Sequence, residues 1–87
     1  MSLNAVLSER EKTHGPFSMN ALISQKLKCC LRQGCAYSDL DTTQREALEM
    51  VCHKLGRIVC GDPNFQDHWL DAAGYLTRIV EEIERRS

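Results

Sequence analysis

Apolar residues recur at three- and four-residue intervals along most of this chain, and no segment alternates long enough to read as a strand. Residues 3–12, "LNAVLSEREK", read as a short helix closed by "THGP" at 13–16. Gly15 there suits a C-terminal cap, and Pro16 discourages continuation. Ser18 is placed to cap a second helix reaching about Gln33, with Gly34 beyond it and an apolar stripe of Met19, Ile23, Leu27, Cys30 and Leu31. "GCAYSDLD", 34–41, reads as a loop. Thr43, three residues before Glu46, gives the pattern of a capping box for a third helix, with Asp41 or Thr42 as alternative caps. That helix carries Leu48, Val51, Cys52, Leu55, Ile58 and Val59 and stops at "CGDP", where Gly61 suits a left-handed cap before Pro63. The fourth starts near Asn64 or Phe65 and runs almost to Ser87. Its stripe of Trp69, Ala72, Ala73, Leu76, Ile79, Val80 and Ile83 repeats like coiled-coil core positions over two heptads.

These elements define an all-α fold: one helical domain over residues 1–87, a small bundle of three to four helices. The short link between the last two helices predicts an antiparallel C-terminal hairpin. Gly56 and Gly74 lie inside helices, where glycine costs roughly 1 kcal/mol against alanine. Close helix approach or a ligand contact is the expected compensation.

Length sharpens this picture more than composition does. A chain of 87 residues buries only about 60–65% of its unfolded surface, so its core is thin and a homo-oligomer, dimer or higher, is expected. The formal charge of −1 argues against a nucleic-acid partner, and no polybasic run or apolar block of about 20 residues points to a membrane. No basic segment followed by an apolar block precedes the first helix, which leaves a cytoplasmic protein as the reading. Five cysteines form an odd set without a CxxC pair, and Cys52 and His53 are adjacent on a helix and point apart. Reduced, core-filling thiols fit better than disulfides or a zinc site.

Chemistry concentrates on the last two helices. Glu46, Glu49, His53 and Arg57 fall on one polar stripe with Lys54 at its edge, and Asp67, Asp71, Gly74 and Arg78 form another. Two carboxylate pairs, Glu46 with Glu49 and Asp67 with Asp71, offer the hard oxygen ligands that Mg²⁺ takes. His53, Lys54 and Arg57 would then face substrate phosphates, with a metal-held water as nucleophile. The plainer alternative is that both stripes are solvated faces opposite the apolar ones, with Glu46, Asp67 and Asp71 favourably near helix N-termini. In an antiparallel hairpin Glu46 and Asp67 stand about 20–25 Å apart along the axis at ~1.5 Å per residue. A second subunit or a tilted helix is needed to join them. His14 reads as a charge at a helix C-terminus, His68 as a first-turn residue, and Trp69 and Tyr75 as core and rim aromatics.

The segments "EREKTHGPF" and "QREALEMVCHKLGRIVCGDPNFQDHWLDAAGYL" resemble a group of small phage and prophage proteins of unassigned function. That group is similar in turn to the MazG-like all-α nucleotide pyrophosphohydrolases, which bind Mg²⁺ through an E-x-x-E and a later E-x-x-D motif and are commonly dimers or tetramers. The resemblance implies Glu46 and Glu49 as the first acidic pair and Asp67 and Asp71 as the second, although D-x-x-x-D departs from E-x-x-D. Glu49 and Asp71 would then be the catalytic carboxylates, and His53, Lys54 and Arg57 would contact a small nucleotide in the host cytoplasm. The competing reading is a non-catalytic phage accessory protein that binds a host protein or sequesters a nucleotide.

Overall fold

The computed structural model describes residues 2–87, and among them the chain is helical without strands. The helices are α1 (Leu3–His14), α2 (Phe17–Arg32), α3 (Thr42–Cys60) and α4 (Gln66–Arg86), with one 3₁₀ turn (Tyr37–Asp39) inside the expected loop. α3 is the centre: α2 and α4 both pack on it, and α1 touches α2 and α3. Among the described residues no helix is long and apolar enough to cross a membrane.

Local chemistry explains most helix ends. The Ser2 hydroxyl accepts from the Ala5 amide at 3.2 Å to open α1, and Gly15, at φ 78°, closes it. α2 starts one residue before Ser18, with Pro16 in the cap position and no side-chain cap. Proline's fixed φ suits a helix entry and makes the serine unnecessary. At α3 the working cap is Asp41, the alternative to Thr43. Its carboxylate accepts from the Gln44 amide at 2.7 Å, and the Gln44 side chain accepts from the Asp41 amide at 3.0 Å. α4 begins at Gln66, slightly later than expected. An aspartate turn precedes it, with the Asn64 amide donating to Asp62 Oδ1 at 2.9 Å.

Two glycine expectations change. Gly61 has φ −115°, so it is no left-handed cap. It is glycine because the end of α1 lies against it: a Cβ there would collide with the carbonyl oxygen of Thr13. Gly56 does allow close approach, since its Cβ would sit 3.1 Å from the Asn20 carbonyl oxygen of α2, whereas a Cβ on Gly74 would meet nothing within 4 Å.

The core differs from the apolar stripes more than the helices do. Its fully buried apolar members are Ala47, Cys52 and Ile58. On α4 the more protected positions are His68, Ala72, Tyr75, Ile79 and Glu82, one residue before most of the predicted stripe. Trp69 is 54% exposed and Val80 52%, and Leu76 and Ile83 are exposed as well. The reason is register. His68 is tied to the end of α1, Lys54 of α3 reaches Asp71 at 3.1 Å, and Arg86 reaches Asp41 at 2.8 Å. Those ties turn α4 by about one residue, roughly 100°, from the orientation that hydropathy favours. α2 behaves similarly, burying Ser24 and Lys28 while Met19 and Leu31 stay exposed. Only Cys52 among the thiols is buried, and that burial raises its pKa.

Candidate functional site

The five polar residues singled out on α3 divide between two sides of that helix. Lys54 is buried and paired with Asp71. Glu49 lies 3.9 Å from the ammonium of Lys28, which also sits 3.2 Å from His53 Nε2. An ammonium only donates, so Nε2 accepts and His53 is the neutral tautomer protonated on Nδ1. Asp67 and Glu46 are exposed, and neither is ion-paired among the described residues. The carboxylates therefore meet lysines rather than one another. Among the described residues no three His, Cys, Asp or Glu side chains converge as a cation site. Within one chain these side chains do not fit the Mg²⁺ donor set expected of them.

His53 and Arg57 do come together with other groups. With α1 and α2 they line a cleft of about 510 Å³, to which α1 contributes Leu7, Arg10, Glu11 and His14 and α2 contributes Asn20, Ala21, Ser24 and Gln25. That volume falls in the usual range of small-molecule sites, about 300–1,000 Å³. Two side-chain oxygens in its wall lack hydrogen-bond partners, Ser24 Oγ and Asn20 Oδ1, and Ser24 is 1% exposed. A buried hydroxyl without a partner costs roughly 1–3 kcal/mol.

Sequence patterning made His53 and Arg57 visible but missed Arg10, Asn20 and Ser24. The missed signal lies on α2, where Asn20, Ser24 and Lys28 recur every four residues and face α3 in place of the apolar stripe. Arg10 and His14 share the corresponding face of α1.

A junction fixes α1 against the rest and forms one end of the cleft. The carbonyl of Thr13, left without an intrahelical donor at the end of α1, accepts from the Asp62 amide at 3.0 Å and from His68 Nε2 at 3.0 Å. His68 is therefore no ordinary first-turn residue; it is 2% exposed, with its ring against Phe65 and edge-on to His14 at 4.7 Å between centroids. His14 Nδ1 meets the Thr13 hydroxyl at 2.6 Å.

Positive neighbours shape the electrostatics. Burial lowers the pKa of His14, and Arg57, His68, Lys54 and Arg10 lower it further, so it is not the stabilising helix-end charge expected. Burial also lowers His53, with help from Lys28, Arg57 and Lys54 against a small opposing effect of Glu46. Both imidazoles thus titrate below the ordinary value of about 6.5. The unfolded chain binds more protons than the native one between the depressed values and that ordinary value. Their contribution is full above about pH 6.5 and is lost as pH falls toward the native values. The urea midpoint should accordingly drop between pH 7.5 and pH 5.5, and a His14→Gln/His53→Gln variant should lose most of that slope. An unchanged slope in the variant would place the sensitivity elsewhere.

Comparison with protein-family models, curated proteins and solved structures finds no match to this chain.

Proposed function

We propose that this chain binds and sequesters a small nucleotide in the cleft between α1, α2 and α3. The observation that carries the reading is the convergence of Arg10, His14, His53 and Arg57 around a cleft whose wall holds the unpartnered Ser24 Oγ and Asn20 Oδ1. Two guanidiniums suit phosphate oxygens, which they bond bidentately. Leu7, Ala21 and Phe17 offer an apolar wall for a base, and an acceptor such as Asn20 Oδ1 suits a base amine or sugar hydroxyl. Metal-dependent hydrolysis, as in the MazG-like enzymes, would need a second copy to gather Glu46, Glu49, Asp67 and Asp71. Sequestration needs only groups that one chain already brings together.

Titration calorimetry with mononucleotides, diphosphates and triphosphates, each with and without Mg²⁺, tests the reading. Binding should occur without metal, and Arg57→Ala should weaken it about 10-fold or more, the worth of one charge-assisted pair. No heat at millimolar nucleotide would refute it. Mg²⁺-dependent pyrophosphate release that Glu49→Gln abolishes would replace it with the hydrolytic reading.

We further read the chain as a homo-oligomer whose last two helices form an antiparallel hairpin. The ion pair joining Arg86, at the end of α4, to Asp41, at the start of α3, supports the hairpin. The exposed apolar side chains of α4 support self-association.

A further inference from the structure

α4 carries two seams with coiled-coil spacing, offset by one residue. His68, Ala72, Tyr75, Ile79 and Glu82 form the first, the protected one. Trp69, Ala73, Leu76, Val80 and Ile83 form the second, with the same four-three-four-three spacing, and every member is exposed. A sustained repeat of this kind is the pattern by which one helix seats against another. One seam is used within the chain and the other is empty among the described residues.

α3 continues the open seam. Lys54, whose ammonium reaches Asp71, marks the α4 side of α3, and Ala47 and Ile58 share that side at helical spacing. Leu48, Leu55 and Val59 each follow one of these by a single residue, roughly 100° around the helix. On antiparallel neighbours the same one-residue step from the contact opens toward the same side. Leu55 and Val59, both exposed, therefore extend the α4 seam into one apolar face. The Lys54–Asp71 pair and the His53–Arg57 side of α3, with the cleft, lie on the other side.

The chain as a whole exposes enough surface to supply such a face. A folded monomer of this mass exposes about 5,200 Å² by the usual scaling, whereas this chain exposes 6286 Å². The radius of gyration, 15.0 Å, likewise exceeds the roughly 12 Å of a compact chain of this length. The surplus, about 1,100 Å², is slightly more than the ~800 Å² that each partner gives to a standard protein interface.

We infer that a second copy of this chain covers the face, in a two-fold dimer centred on Leu76 and Val80 of α4 and flanked by Leu55 and Val59 of α3. The inference rests on reading the chain as a homo-oligomer and assigns the surface that makes it one. The same patch meets itself across a two-fold axis, so a single apolar seam serves both partners. The cleft stays open in such a dimer.

Sedimentation velocity of the full chain should give twice the 9.9 kDa chain mass at micromolar concentration. Leu76→Glu with Val80→Glu should give the single-chain mass with unchanged helical circular dichroism. Leu3→Glu, on α1, should leave the dimer intact. Trp69 is the sole tryptophan and sits on the seam, so the wild-type emission should shift to the red as dilution lowers the mass. That measurement stands even if the double variant fails to fold. A wild-type chain that stays monomeric to millimolar concentration overturns both the dimer and the oligomeric reading, and leaves the face to a different partner. An oligomer that the double variant does not weaken, or whose dissociation leaves Trp69 emission unmoved, overturns the assigned face alone. Nucleotide binding is measured separately and survives either failure.

Discussion

Gly61→Ala should destabilise this protein by about 3 kcal/mol or more, a large effect for a single added methyl group. The added Cβ would collide with the Thr13 carbonyl oxygen and would stand 2.6 Å from the His14 carbonyl carbon and 2.7 Å from the Gly15 nitrogen. These are backbone atoms, so no side chain can swing away to make room. Relief requires the end of α1 to move, and that movement breaks the bonds from the Asp62 amide and His68 to Thr13. Each lost bond adds about 1 kcal/mol to the strain of overpacking. A domain of 87 residues holds roughly 4–13 kcal/mol in total, and about 4–8 °C of melting temperature follows each kcal/mol. The melting temperature should therefore fall by about 12 °C or more. Gly74→Ala is the matched control. Its Cβ enters open space on α4, and the better helix propensity should raise stability by up to about 1 kcal/mol. Equal melting temperatures for the two variants would mean that α1 does not sit on the α3–α4 turn.

Helix positions were legible because caps and periodicity are local. Gly15, Asp41 and the "GDPN" turn act through atoms within a few residues of themselves. The face that each helix buries was not legible, because on α4 and α2 it is set by polar ties of long sequence separation. α4 has two equally spaced seams, and hydropathy selects the more apolar. The chain folds on the other because His68 bonds Thr13 across 55 positions and Arg86 bonds Asp41 across 45. That choice leaves Trp69 and Leu76 outside, where a partner rather than the core can use them.

The candidate site follows the same logic. His53 and Arg57 stood out because they share a polar stripe within one helix. The residues opposite them, Arg10 and Ser24, join only when α1 and α2 close over α3, which no spacing rule encodes. The acidic pairs show the converse, a spacing whose partners it did not reveal. Glu49 and Asp71 had suitable spacing, but buried lysines from neighbouring helices, Lys28 and Lys54, lie beside them. A buried ammonium needs a nearby carboxylate more than the carboxylate needs a metal. That need accounts for two acidic positions without invoking chemistry.

His68→Ala is the second large effect, expected to cost about 2–4 kcal/mol. The imidazole is the largest fully buried side chain among the described residues, packed edge-on against Phe65 and His14. Its removal leaves a cavity where three elements meet and also deletes the Nε2 bond to Thr13. The Thr13 carbonyl keeps its second donor, the Asp62 amide, so no acceptor is stranded and the loss stays below that of Gly61→Ala. His68→Gln retains a donor of similar reach and should recover part of the loss, which separates the hydrogen bond from the packing. Amide exchange at Asp62 gives a local readout, since that N–H is protected by the same carbonyl. Exchange there should accelerate in His68→Ala, whereas amides in the middle of α3 should accelerate only as far as the global destabilisation requires. Nucleotide affinity should fall alongside it, because His14 and Arg10 reach the cleft only while α1 is seated. A stability within about 0.5 kcal/mol of the wild type, or unchanged Asp62 exchange, would show that the junction does not depend on this histidine.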